Sequence, residues 1–154
     1  LYSDVPYFVD FKYVLNQSAA GKKAQTVLQK ELSDGVNKIK KQESALQAEE
    51  KEIIKQKRVI SADEYTKKVT NLRAKVNTIQ KNRNNLLDSV AKKRTKARSE
   101  LLKNLNPIIQ EYMKEKKIRM VLDKKGILLA DEKLDLTNDI INILDKKLKS
   151  IKLD

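Results

Sequence analysis

Ile60-Ser61-Ala62-Asp63-Glu64-Tyr65, ISADEY, interrupts a long run of helix-forming sequence. Ser61 followed three residues later by Glu64 is a capping-box pattern: the hydroxyl takes a backbone N–H of the new helix, and the acid reaches back to the cap. A fresh helix start here folds the chain back on itself. Upstream, Leu32, Ile39, Leu46, Ile53 and Ile60 recur every seven residues, beside Val27, Leu28 and Val36; Gln42, Glu43, Glu49 and Glu50 dilute the other seam position. Downstream, Tyr65, Val69, Leu72, Val76, Ile79, Leu86 and Val90 alternate steps of four and three, with Arg83 as the polar break. Sustained heptads of this width predict a narrow coiled-coil seam. Folding about the turn pairs Ile60 with Tyr65, Ile53 with Leu72, Leu46 with Ile79 and Ile39 with Leu86. Each arm of about 40 residues extends about 60 Å at about 1.5 Å per residue. So thin a hairpin needs anchoring at its base.

The two chain ends supply that base. VPYFV (5 to 9) is short, apolar and β-prone, which predicts a strand. Asp10 can cap a short helix to about Gln17, with Phe11, Val14 and Leu15 on its apolar side. Pro107 is expected to interrupt the second arm; Ile108, Ile109, Tyr112 and Met113 then widen the apolar face. IRMVLD (118 to 123), the turn Lys124-Lys125-Gly126 and ILLAD (127 to 131) predict a β-hairpin. After a loop through Asp135, Thr137 is expected to cap a last helix that packs with Ile140, Ile141, Ile143, Leu144 and Leu148. The fold class is α+β, mostly α: a long antiparallel helical-hairpin arm (18–107, tip near 60–64) projecting from a small β body (1–17 and 108–154). Three short strands make too small a sheet to stand alone, and open strand edges invite pairing with other copies. Val9, Val121, Leu122, Leu128 and Leu129 are the apolar residues expected to build this oligomerisation body.

Composition narrows the function. The net charge is +13, with 36% charged and 5% aromatic residues, three Gly and two Pro. Such a balance points to an anionic partner: nucleic acid, an acidic lipid surface or an acidic protein. The chain has no Cys and no His, so it lacks thiolate chemistry, the commonest metal ligand and the usual general base near neutral pH. Neither an enzyme nor a cofactor is expected. No apolar run approaches the roughly 20 residues that span a bilayer. The chain opens at Leu1 rather than Met, as it would after removal of a leader.

Asn16-Gln17-Ser18-Ala19-Ala20-Gly21-Lys22-Lys23-Ala24 contains a Gly-Lys pair at a helix start. A phosphate loop needs Gly, four residues, then Gly-Lys-Ser/Thr. Here the first glycine position holds Asn16 and the hydroxyl position holds Lys23. Ser18 instead caps the long helix, and Gly21 in its first turn permits close backbone packing. VDFKYVLNQSAAGKKAQTVLQKEL resembles the N-terminal signature of the Skp (OmpH) family of periplasmic chaperones. MVLDKKGILLADEKLDLTNDIINIL is similar to the family's closing segment. These ends cover about 50 residues; the arms match in pattern and charge only. The resemblance implies a homotrimer whose strands form a small body and whose three hairpins enclose a cavity. It also implies a periplasmic, ATP-independent holdase for unfolded outer-membrane proteins, reached after signal-peptide removal.

The residues expected to carry client binding are basic. From Thr66 to Ser99 they are Lys67, Lys68, Arg73, Lys75, Lys81, Arg83, Lys92, Lys93, Arg94, Lys96 and Arg98, against Asp88 as the single acid. The first arm is milder, its cations offset by Glu43, Glu49, Glu50 and Glu52. Such a run exceeds what solubility requires and predicts a positive cavity lining, with anionic lipid or lipopolysaccharide as further partners and nucleic acid bound only nonspecifically. Gly35, costly inside a helix, is read either as tolerated or as a point of arm flexibility. Tyr65 is expected to staple the tip to Ile60. Asp131, Asp135 and Asp139 lack the ligand order of a calcium loop and suit turns and caps; no metal is assigned. The rival reading is a basic coiled-coil protein that binds nucleic acid or acidic lipid. Against it, the basic arm carries no stacking aromatics beyond Tyr65.

Overall fold

The computed structural model describes Tyr2 and residues 4–154. Strand β1 (Tyr7–Val9) is followed by helices α1 (Phe11–Gln17), α2 (Ala19–Gln56) and α3 (Ala62–Lys116). Strand β2 (Val121–Asp123), two single 3₁₀ turns (Lys124–Gly126 and Glu132–Leu134) and helix α4 (Thr137–Lys147) complete the chain. It divides into two compact units: one holds the residues up to Leu28 together with Lys92–Asp154, the other is Gln29–Ala91.

In the first unit the local chemistry is capping. Asp10 accepts the Tyr13 N–H and starts α1. Ser18 ends it: its own N–H returns to the Val14 carbonyl while its ψ of 154° breaks the helix. The same serine starts α2, its Oγ accepting the Gly21 N–H at 3.1 Å. Asp145 of α4 accepts the Ala19 N–H at 2.8 Å. Two of the orphan donors at this helix start are thereby satisfied, one from nearby and one from far along the chain. Gly21 is required here because a Cβ would fall onto the Leu15 carbonyl oxygen and come within 2.8 Å of Ser18 Oγ.

Val9, Val14, Leu105, Ile140 and Leu144 are fully buried and form the centre of this unit with Leu101, Ile108 and Ile118. Each such side chain contributes about 1.5–3 kcal/mol of transfer free energy. Ile140 and Leu144 lie four apart on α4, so one stripe of that short helix faces inward. Tyr112 donates to Asp139 at 2.7 Å, tying α3 to α4. Burial, and then that hydrogen bond, push its phenol up to about 12, so it remains a donor throughout the neutral range.

Three expectations are corrected. Pro107 does not interrupt the second arm: α3 runs through it to Lys116. The neighbouring Leu105, Ile108 and Ile109 are buried in the core, and that packing outweighs the lost hydrogen bond. No β-hairpin forms from residues 118–131. Asp123 instead accepts the Lys125 N–H and opens a 3₁₀ turn. Gly126 does not adopt the positive φ that a tight hairpin turn demands. Segment 127–131 therefore carries no strand, and β2 pairs with β1, in parallel, with Tyr7 opposite Val121 and Val9 opposite Asp123. Thr137 is the first residue of α4 rather than its cap. Asp135 Oδ1 takes both the Thr137 N–H (2.9 Å) and its hydroxyl (2.5 Å), and Thr137 Oγ1 accepts the Asp10 N–H.

Helix α3 ends in a left-handed residue, Lys117, at φ 56°. The Ile118 N–H returns to the Met113 carbonyl at 2.9 Å, the long-range bond of a Schellman ending. A lysine in this conformation carries a steric cost that glycine does not. Lys117→Gly is expected to raise stability by about 1 kcal/mol, seen as a higher midpoint in urea; a lower midpoint would refute this account of the ending.

The second unit is an antiparallel helix pair. Glu49 meets Lys75 at 2.9 Å, Glu43 meets Arg83, and Gln56 meets Lys68 at 2.5 Å. These contacts follow the register expected from the heptads. Ile39, Ile53 and Val90 are buried along the seam. At the tip, Ser61 Oγ accepts the Glu64 N–H at 3.2 Å, half of the capping box.

Candidate functional site

The basic run of α3 is a surface rather than a pocket. Lys67, Arg73, Lys75, Lys81, Arg83, Lys92, Arg94, Lys96 and Arg98 are exposed, while Lys68 and Lys93 are half-buried. In the second unit, Lys68, Lys75 and Arg83 bond across the helix pair to Gln56, Glu49 and Glu43. The first arm's acids thus temper part of the charge, and each exposed pair contributes at most about 1 kcal/mol. In the first unit, Lys93 lies 4.0 Å from the Asp154 carboxylate, and Lys96 donates to the Asp154 backbone oxygen.

Apolar side chains lie exposed in the same second unit. Val59 is 83% exposed, and Ile54, Val76 and Leu87 are each more than half exposed. The heptad reading placed Val76 in the seam; the narrow helix pair leaves it half outside. Such a surface offers many weak cationic and apolar contacts and no deep cleft. It suits an extended polyanionic or mixed polymer better than a small molecule.

The other singled-out residues have defined surroundings. Gly35 packs beneath Leu86, whose Cδ1 and Cδ2 would lie 2.6 Å from an added Cβ, so glycine permits the helices to approach there. Tyr65 is half-buried under the Lys57 ammonium, 5.5 Å from its ring centre. Asp131 caps a 3₁₀ turn, Asp135 holds Thr137 at the first position of α4 and Asp139 holds Tyr112. The apolar body residues separate into two sets. Val9 is buried in the chain's own core and Val121 is half-buried, whereas Leu122, Leu128 and Leu129 are exposed, the last two by 95% and 89%. Among the described residues, β2 pairs on one side only, with β1. A groove of about 530 Å³ is lined by Phe8 of β1 and, from the segment after β2, by Lys124, Ile127, Leu128, Leu129 and Asn138 among others. No helix of the described residues is long and apolar enough to cross a membrane.

Comparison with known proteins agrees with this architecture. A protein of Aquifex aeolicus (strain VF5) without an assigned role is 27% identical over 138 residues, covering 90% of this chain and 84% of its own. A crystal structure from Caulobacter crescentus CB15, provisionally described as an outer membrane chaperone (OmpH-like), superposes with a TM-score of 0.89 at 23% identity. The match covers 99% of this chain and 91% of that one, and it shows the fold. Residues 7–144 match the family described as outer membrane protein (OmpH-like). Two long helices bracketed by a small parallel strand pair, with a basic second helix, are therefore the form taken here by a chain that belongs to the OmpH-like family.

Proposed function

We propose that this protein is an ATP-independent holdase chaperone that binds unfolded outer-membrane proteins in the periplasm and keeps them from aggregating. The observation that carries this reading is the run of eleven cations against one acid between Thr66 and Ser99, with exposed Val76 and Leu87 on the same helix. Membership of the OmpH-like family supports it. Three copies join through the strand-bearing unit, and their basic hairpins share one client between them. Gly35, a weak helix former, lets the hairpin bend about its Leu86 contact as clients differ in size. Each contact is weak, and avidity comes from many acting together. Release needs no nucleotide: it follows when the client folds or inserts elsewhere and the free client concentration falls. Anionic lipid and lipopolysaccharide offer the same surface a dense array of negative charge.

The test is an aggregation assay with an unfolded β-barrel client, run beside a mass measurement of the assembly. Screening shortens the reach of exposed charges from about 14 Å to about 4 Å between about 50 and 500 mM salt. Client affinity is expected to fall at least about tenfold over that range. Unchanged affinity would overturn the electrostatic reading. Unfolded outer-membrane protein should also displace DNA at low salt; failure to do so would favour a nucleic-acid binder.

A further inference from the structure

Residues 148–154 follow α4 without regular structure, yet they are laid down on the first unit. Ile151 and Leu153 are partly covered while Lys152 and Asp154 face solvent, the period-two alternation of an extended chain. Ile151 packs against the core cluster. At the far end, Lys96 of α3 donates to the Asp154 backbone oxygen, and Lys93 faces its carboxylate at 4.0 Å. The chain therefore places an extended segment, alternately apolar and polar and ending in a carboxylate, on two cations of its own basic run.

We propose that residues 150–154 act as an internal pseudo-client, occupying the Lys93–Lys96 end of the basic surface until an unfolded polypeptide of the same chemistry displaces them. The inference rests on the holdase reading above and names the chemistry this part of the surface takes. That chemistry is an extended segment of alternating apolar and polar residues with a carboxylate beside them. Strands of membrane β-barrels alternate in the same way, so the segment matches such a client in pattern as well as in charge. Tethering keeps the segment at high effective concentration over its site. Its grip is nevertheless light, because Asp154 is 88% exposed. A short or weakly charged peptide is held off, whereas a long client engaging many cations at once displaces the segment.

The experiment measures the affinity of the full chain for an unfolded β-barrel client at low salt. The variants are Ile151→Ser/Asp154→Asn, Asp154→Asn alone, and Asp63→Asn as a charge-matched control at the start of α3. Releasing a segment that is docked most of the time is expected to tighten binding about fivefold in the double variant and about twofold in Asp154→Asn, with Asp63→Asn unchanged. The gain should vanish at high salt. Client binding of equal strength in all proteins, or the same gain in Asp63→Asn, overturns this inference and leaves the holdase reading standing. Absence of client binding in every protein, the parent included, overturns both. Asp154→Asn alters only an exposed contact and keeps the test decisive if the double variant unfolds.

Discussion

Gly21→Ala is expected to cost about 3 kcal/mol or more, a large share of the 5–15 kcal/mol that holds a typical domain together. Alanine is the better helix former by about 1 kcal/mol, so propensity alone forecasts the opposite sign. The deciding quantity is space. The added methyl group would lie 1.9 Å from the Leu15 carbonyl oxygen, which is backbone and cannot turn aside, and would crowd Ser18 Oγ at 2.8 Å. Relief means moving α1 away from the start of α2, which disturbs the Ser18 cap that joins them. The measurement is urea unfolding followed by helical circular dichroism. Gly126→Ala is the control, since nothing lies within 4 Å of a Cβ there and its φ is not positive; it should stay within about 0.5 kcal/mol of the parent. A Gly21→Ala protein as stable as the parent would sink this account of the junction.

The second large effect is expected at Leu128 and Leu129. Two adjacent leucines at 95% and 89% exposure line an open groove, in a unit that carries only a two-stranded sheet among its described residues. Covering each leucine is worth about 1.5–3 kcal/mol, and a closed ring of three copies repeats the contact three times. The Leu128→Asp/Leu129→Asp variant is expected to keep its helical content, because neither side chain belongs to the core. Its native mass should drop from that of a trimer to that of one chain, and its suppression of client aggregation should be lost. A parent that already runs as one chain, or a variant that keeps the parent's mass, would refute the proposed assembly.

Much of the architecture was legible because its causes are local. Heptads from Leu32 to Ile60 and from Tyr65 to Val90 encode two helices, and Ser61 with Glu64 encodes the turn between them. Asp10 and Ser18 cap the helices that the sequence assigned to them. The misreadings have non-local causes. Pro107 looks like a breaker until the buried Leu105, Ile108 and Ile109 around it are counted. The apolar runs flanking Lys124-Lys125-Gly126 look like hairpin strands, because their composition does not reveal that β2 belongs beside β1. Asp145 caps a helix that starts 126 residues earlier, a distance no local pattern spans. The charge of the candidate surface was legible, but its arrangement was not. The cations could be counted from sequence, whereas Glu43, Glu49 and Asp154 were located as their partners only by the fold.

The parallel pairing of β1 with β2 sets the order in which the protein can be made. Tyr7–Val9 is synthesised well before its partner Val121–Asp123, which lies beyond α1, α2 and α3. Helices zip up in about a microsecond or less from nearby residues, while a contact between distant strands must wait for chain closure. Until then the apolar stretch around Phe8 and Val9 is itself a nascent, uncovered segment. A newly made copy therefore depends on shelter for that stretch until the distant strand arrives.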